Sequence, residues 1–126
     1  MTTASLWPAL PAVKPRSMRQ MLLEAGVGIR DLTNGLIHFQ VATSAQKVDK
    51  QLKFFHYCTI SVPLAALSFP LFQVRTEAAP FPAEVTWDGG TQRAENEDHL
   101  RQLLAGIFQS EQSKTLVYNL IANFSE

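Results

Sequence analysis

Between Lys53 and Arg75 the chain runs 21 residues without a formal charge, and the use made of that stretch decides the fold. Its length approaches that of a bilayer-spanning helix. Its content does not suit one. Pro63 and Pro70 interrupt it, and His56, Thr59, Ser61, Ser68 and Gln73 are spread through it. A lipid-exposed segment must satisfy every polar group internally, whereas apolar residues alternating with polar ones are the mark of a half-buried strand. The stretch therefore predicts two buried strands joined by a turn. The first spans 52–62, with Leu52, Phe54, His56, Cys58, Ile60 and Val62 on the inner face and Lys53, Phe55, Tyr57, Thr59 and Ser61 on the outer one. Pro63 ends it, because proline cannot donate to a central ladder, and the second strand spans 69–76.

The remaining elements are read outward from this centre. Residues 1–16 hold Pro8, Pro11 and Pro15 and predict an extended segment, laid over the body through Leu6, Trp7 and Leu10. From Ser17, a helix-capping residue, Met18, Met21, Leu22, Ala25, Ile29 and Leu32 recur at helical spacing up to a stop at Asn34-Gly35. Gly26 and Gly28 weaken the middle of that helix by roughly 1 kcal/mol each relative to alanine. Either the helix breaks there or the glycines let another backbone come close. Ile37, Phe39 and Val41 alternate in a strand over 36–41, and the polar stretch 43–51 predicts a hairpin loop. A fourth strand over 83–88 closes at Asp88-Gly89-Gly90. Asn96 then caps a helix striped by Leu100, Leu103, Leu104, Ile107 and Phe108; after a break at 110–113, Leu116, Val117, Leu120, Ile121 and Phe124 stripe another.

Consecutive strands with short connections favour a meander, and strands followed by helices favour segregated layers. The expected fold is α+β: a four-stranded antiparallel meander with an N-terminal helix and a C-terminal helical hairpin packed on one face, all within a single domain over 17–126. The chain of 126 residues is long enough for one core, and its 46% hydrophobic and 17% charged content suits a globular protein. One cysteine, Cys58, excludes an intramolecular disulfide and cannot by itself make a thiolate zinc site. The first thirteen residues lack the basic region and apolar run of a secretory signal. A reducing, cytoplasmic home is expected, with no membrane partner.

Eleven basic residues cancel eleven acidic ones, but unevenly along the chain. From Met1 to Lys53 seven basic residues face three acidic, a local +4; from Thr76 to Glu111 seven acidic residues face Arg93 and Arg101, a local −5. Such a split either attracts basic and acidic surfaces of two copies or dissolves into neighbouring ion pairs on folding.

No nucleophile elbow, phosphate-binding loop or dinucleotide fingerprint occurs in the sequence. No catalytic residue, cofactor or metal is assigned. His38, His56 and Cys58 lie on the first two strands and form the candidate pocket set, but His38 falls on the opposite face from His56, and no acidic residue completes a ligand set. Lys53, Phe55, Tyr57 and Arg75 form the candidate interaction surface, outward-facing on the central strands. Aromatics beside cations resemble a stacking platform for single-stranded nucleic acid, yet zero net charge removes the attraction such binders use. Aromatics on a sheet face more often mark a protein interface. The leading expectation is thus a non-catalytic protein-interaction or assembly module, a homodimer or a partner of another protein. The alternatives are a small ligand-binding protein or enzyme using the strand histidines in a sheet–helix pocket, and a single-strand nucleic-acid binder on the outer face.

Overall fold

The computed structural model describes residues 16–124, together with Leu6 and Pro8. The expected extended course of 1–16, including the seat of Trp7, lies outside the described residues apart from those two and Arg16. The protein is α+β. Helices α1 (Met18–Gly26) and α2 (Gly28–Leu32) precede five strands, β1 (His38–Val48), β2 (Gln51–Val62), β3 (Leu67–Thr76), β4 (Ala83–Trp87) and β5 (Gly90–Ala94). Helices α3 (Glu97–Phe108) and α4 (Glu111–Phe124) follow. The strands form one antiparallel sheet in the order β1-β2-β3-β4-β5.

The meander is as expected, with one strand more. β5 carries a single buried residue, Ala94, so its sequence has no apolar alternation. Its register on β4, from Ala83 opposite Ala94 to Trp87 opposite Gly90, makes it a strand through pairing rather than burial. The expected loop over 43–51 is also strand for most of its length. β1 runs to Val48 and β2 begins at Gln51, so only Asp49 and Lys50 turn, at φ 52° and 67°. Two positive φ values in a two-residue connection make a type I′ turn, whose twist matches that of the flanking strands.

β3 contains proline in the interior of a central strand, where a missing N–H should break the ladder. The register explains it. β4 pairs with β3 only from Gln73 to Arg75, so Pro70 lies where β3 has a partner on one side alone; Cys58 faces Phe72 and Thr59 faces Pro70, so Leu71 beside it is the extra residue of a β-bulge. Leu71 packs against both core clusters.

All the helices lie on one face. α1 and α3 bring Met18, Leu22, Leu100, Leu104 and Ile107 down on Val41, Cys58, Phe72, Val74 and Val85. α4 brings Leu120 against Ile37, Ile60 and Val62. Phe39 joins the two clusters; its ring lies 6.3 Å from that of Phe72 and 5.9 Å, edge-on, from that of Phe108. The glycine-weakened helix breaks, and what comes close to it is a side chain rather than another backbone. α1 stops at Gly26, α2 starts at Gly28, and a Cβ on Gly26 would overlap the ring of Phe39. A Cβ on Gly28 would meet nothing.

Local caps secure the helix starts. Ser17 Oγ accepts from the Gln20 N–H at 3.1 Å, and Asn96 Oδ1 from the His99 N–H at 2.8 Å. Arg16 ties two helices together, donating at 2.7 Å to both Glu24 of α1 and Glu97 of α3. A basic residue of the first half thus meets an acidic one of the second.

The two glycines are expected to respond with opposite sign. Gly28→Ala should stabilise by about 0.5–1 kcal/mol, through reduced unfolded-state freedom at an open helical site. Gly26→Ala should destabilise by about 1–3 kcal/mol, because the Phe39 ring must move. Urea denaturation of the two variants checks both.

Candidate interaction surface

The side of the sheet left bare by the described helices is built from the residues that alternate away from the core. The antiparallel register sets Ser44, Phe55, Arg75, Glu84 and Arg93 in one cross-strand row and Ala42, Tyr57, Gln73, Thr86 and Thr91 in the next. Lys53, opposite Gln46, flanks the first row. The structure therefore brings Lys53, Phe55, Tyr57 and Arg75 together on one surface, with Phe55 directly opposite Arg75. Tyr57 is 40% exposed, and Phe55 is half-buried among its neighbours. The described helices pack on the other face, and Ser61, at the His38 end of this one, is buried.

Its charges are mostly matched. Arg75 Nη2 donates to Glu84 Oε2 at 2.7 Å across β3 and β4, and Arg93 Nε to Glu95 Oε1 at 3.0 Å. These two cations and Lys53 border a cleft of about 550 Å³ at the end of the face, alongside Glu77, Glu84 and Phe81. Arg75 and Arg93 are thus each held by a carboxylate across a solvent-exposed pair. The surface is an aromatic pair in a polar surround that carries paired charges.

The three residues of the candidate pocket do not converge. His38 is on the bare side, opposite Ser61, with its Nε2 donating to the Gly35 carbonyl at 3.0 Å. His56 and Cys58 are on the helix side, both buried. Thr43 Oγ1 and His56 Nδ1 share a hydrogen bond of 2.9 Å across β1 and β2. Burial, and secondarily the charge of Arg19, hold His56 below its ordinary value of 6.5, so it is neutral at pH 7. Burial pushes the Cys58 thiol up to about 12, which keeps it protonated and removes its nucleophilic form. Both behave as core residues. Among the described residues no three His, Cys, Asp or Glu side chains cluster to hold a metal, and no helix is long and apolar enough to cross a membrane.

A separate apolar cleft of about 320 Å³ opens between the α1–α2 break and the α3–α4 corner, lined by Gly28, Ile29, Leu32, Phe39, Leu71 and Val117 among others. Sequence reasoning missed it. Gly28, a helical glycine with open space beside it, is the one sequence mark it leaves. Neither histidine of the candidate set lines it.

The lowered His56 value has a definite consequence for stability. The unfolded chain takes up the proton first as pH falls, so the contribution of neutral His56 is complete above about 6.5 and is lost below it. Urea denaturation between pH 7.5 and 5 should show stability falling on the acid side, and His56→Asn should flatten that slope; an unchanged slope would show His56 equally basic in both states. No protein-family model, curated protein or solved structure matches the chain.

Proposed function

We propose that the chain is a non-catalytic interaction module that assembles with copies of itself through the bare side of its sheet, with Phe55 and Tyr57 at the centre of the contact. The observation that carries this reading is the one-sided distribution of helices. The core is completed on the helix side, and the aromatic pair is left on a face that nothing described covers. An aromatic centre within a polar rim suits a contact that closes by two-fold symmetry, each copy presenting the same patch. The compensated pairs Arg75–Glu84 and Arg93–Glu95 form part of that rim and favour another balanced protein surface over a polyanion. The buried, neutral His56 and the protonated Cys58 supply no acid–base or nucleophilic pair that would favour catalysis.

Size-exclusion chromatography with light scattering tests the reading. The wild-type chain should elute above its monomer mass, and Phe55→Ala with Tyr57→Ala should weaken self-association by at least about tenfold, the loss of roughly 1.4 kcal/mol or more expected of central aromatic anchors. Circular dichroism should show the fold kept. A wild-type monomer at every concentration, or an assembly indifferent to both substitutions, would overturn it.

A further inference from the structure

The two edges of the sheet are unlike. β5 is five residues long, contains Gly90 and carries Arg93, and Ala94 at its end is packed beneath α3. Short length and charge are the devices by which natural sheets blunt an edge. β1, the other edge, has eleven residues and none of these devices over most of its length. It is regular against β2 from His38 to Val48, without a bulge or a proline, and no charged side chain occurs between Phe39 and Gln46.

The hairpin geometry fixes which backbone groups of β1 face outward. In a two-residue hairpin the residues flanking the turn, Val48 and Gln51, exchange both of their hydrogen bonds, and the alternation then runs back along the strand. Even-numbered residues of β1 bond to β2. The N–H and C=O groups of Phe39, Val41, Thr43, Ala45 and Lys47 point away from it. Among the described residues no loop or helix backbone bonds to them. The far half of the strand also extends past the helices, with Ala42, Thr43, Ala45, Gln46 and Lys47 exposed on β1 and Leu52 46% exposed beside it.

We infer that β1 is a second assembly surface, separate from the aromatic face, and that its occupant is the β1 strand of another copy, added antiparallel to make a continuous ten-stranded sheet. A strand of this kind is complementary to itself. With the two-fold axis at Thr43, Val41 meets Ala45 of the second copy and Phe39 meets Lys47, so every outward residue meets another outward residue. The free edge from Phe39 to Lys47 is about 27 Å long. No two charges of like sign oppose each other, since Lys47 is the one charged residue in this segment. Both helix layers fall on one side of the joined sheet and both bare faces on the other, so edge pairing leaves the Phe55–Tyr57 surface open. The inference does not require that surface to be a contact.

Amide exchange on the full-length protein, read residue by residue by NMR, tests it. In the free edge the amides of Val41, Thr43 and Ala45 exchange quickly while those of Ala42, Ser44 and Gln46 are protected; in the paired edge both sets are protected, the odd-numbered ones slowed by at least about tenfold and released on dilution. Ala45→Pro removes an outward N–H and no bond to β2, and should halve the assembly mass seen by light scattering with the fold intact. Ala45→Lys serves as a second variant that keeps the backbone donor and places a charge at the edge. Fast odd-numbered amides in an associated protein, or an assembly unmoved by both Ala45 variants, would overturn edge pairing. An assembly that responds to Ala45→Pro and ignores the Phe55 and Tyr57 substitutions would support edge pairing and remove the aromatic-face reading. The reverse response would do the opposite, and a protein monomeric at all concentrations would end both.

Discussion

The ring of Phe39 sits where the two halves of the core meet, and the placement of every helix depends on what it touches. It packs on Phe72 of β3 and edge-on against Phe108 of α3, while Phe72 and Phe108 themselves stand 5.8 Å apart, so three rings close a triangle between the sheet and the last helices. On its other side α1 ends at Gly26, where any Cβ would strike the ring. A helix must therefore stop or carry glycine at that point. Phe39 also reaches the second cluster, in which α4 covers Ile60 and Val62. Edge-on and tilted aromatic contacts are directional as well as apolar, which lets one residue set both the distance and the angle of its neighbours.

That arrangement uses the apolar side chains on one side of the sheet and leaves Phe55 and Tyr57 on the other, outside the core clusters. Met18, Leu22, Leu100, Leu104 and Ile107 are consumed by the helix-side face, and Cys58 and His56 are enclosed with it. Groups that looked chemically capable in isolation become inert once buried, because burial favours the neutral form of each. The face left over is polar, matched in charge and centred on two aromatics.

The sequence carried the parts of the fold that burial dictates. Alternation from Leu52 to Val62 and the striping of Leu100 to Phe108 are set by the core, so they were legible, as were the cap at Asn96 and the weak point at Gly26 and Gly28. What escaped was structure held by pairing alone. The tip of β1, with Thr43, Ala45, Gln46 and Lys47 exposed, and β5, with one buried residue, have no hydrophobic period because neither faces a core. The Asp49–Lys50 turn lacks the glycine that usually announces a type I′ hairpin, whereas Asp88-Gly89-Gly90 did mark the turn after β4. The grouping of Lys53, Phe55, Tyr57 and Arg75 followed from parity along the strands, and Phe55 and Arg75 proved to be direct cross-strand neighbours. The bulge at Leu71 left only Pro70 as its trace, since a proline in a central strand requires a break in the ladder.

The central claim is that Phe39 couples the sheet edge to α3, and a double-mutant cycle measures that coupling directly. Phe39→Leu and Phe108→Leu, singly and together, keep apolar bulk at both sites while removing the ring pair. The account predicts that the double variant is less destabilised than the sum of the singles by about 0.5–1.5 kcal/mol in urea denaturation, the worth of an edge-on ring pair beyond its buried area. Strict additivity, within about 0.3 kcal/mol, would mean that the rings share a core without acting on one another and would contradict it.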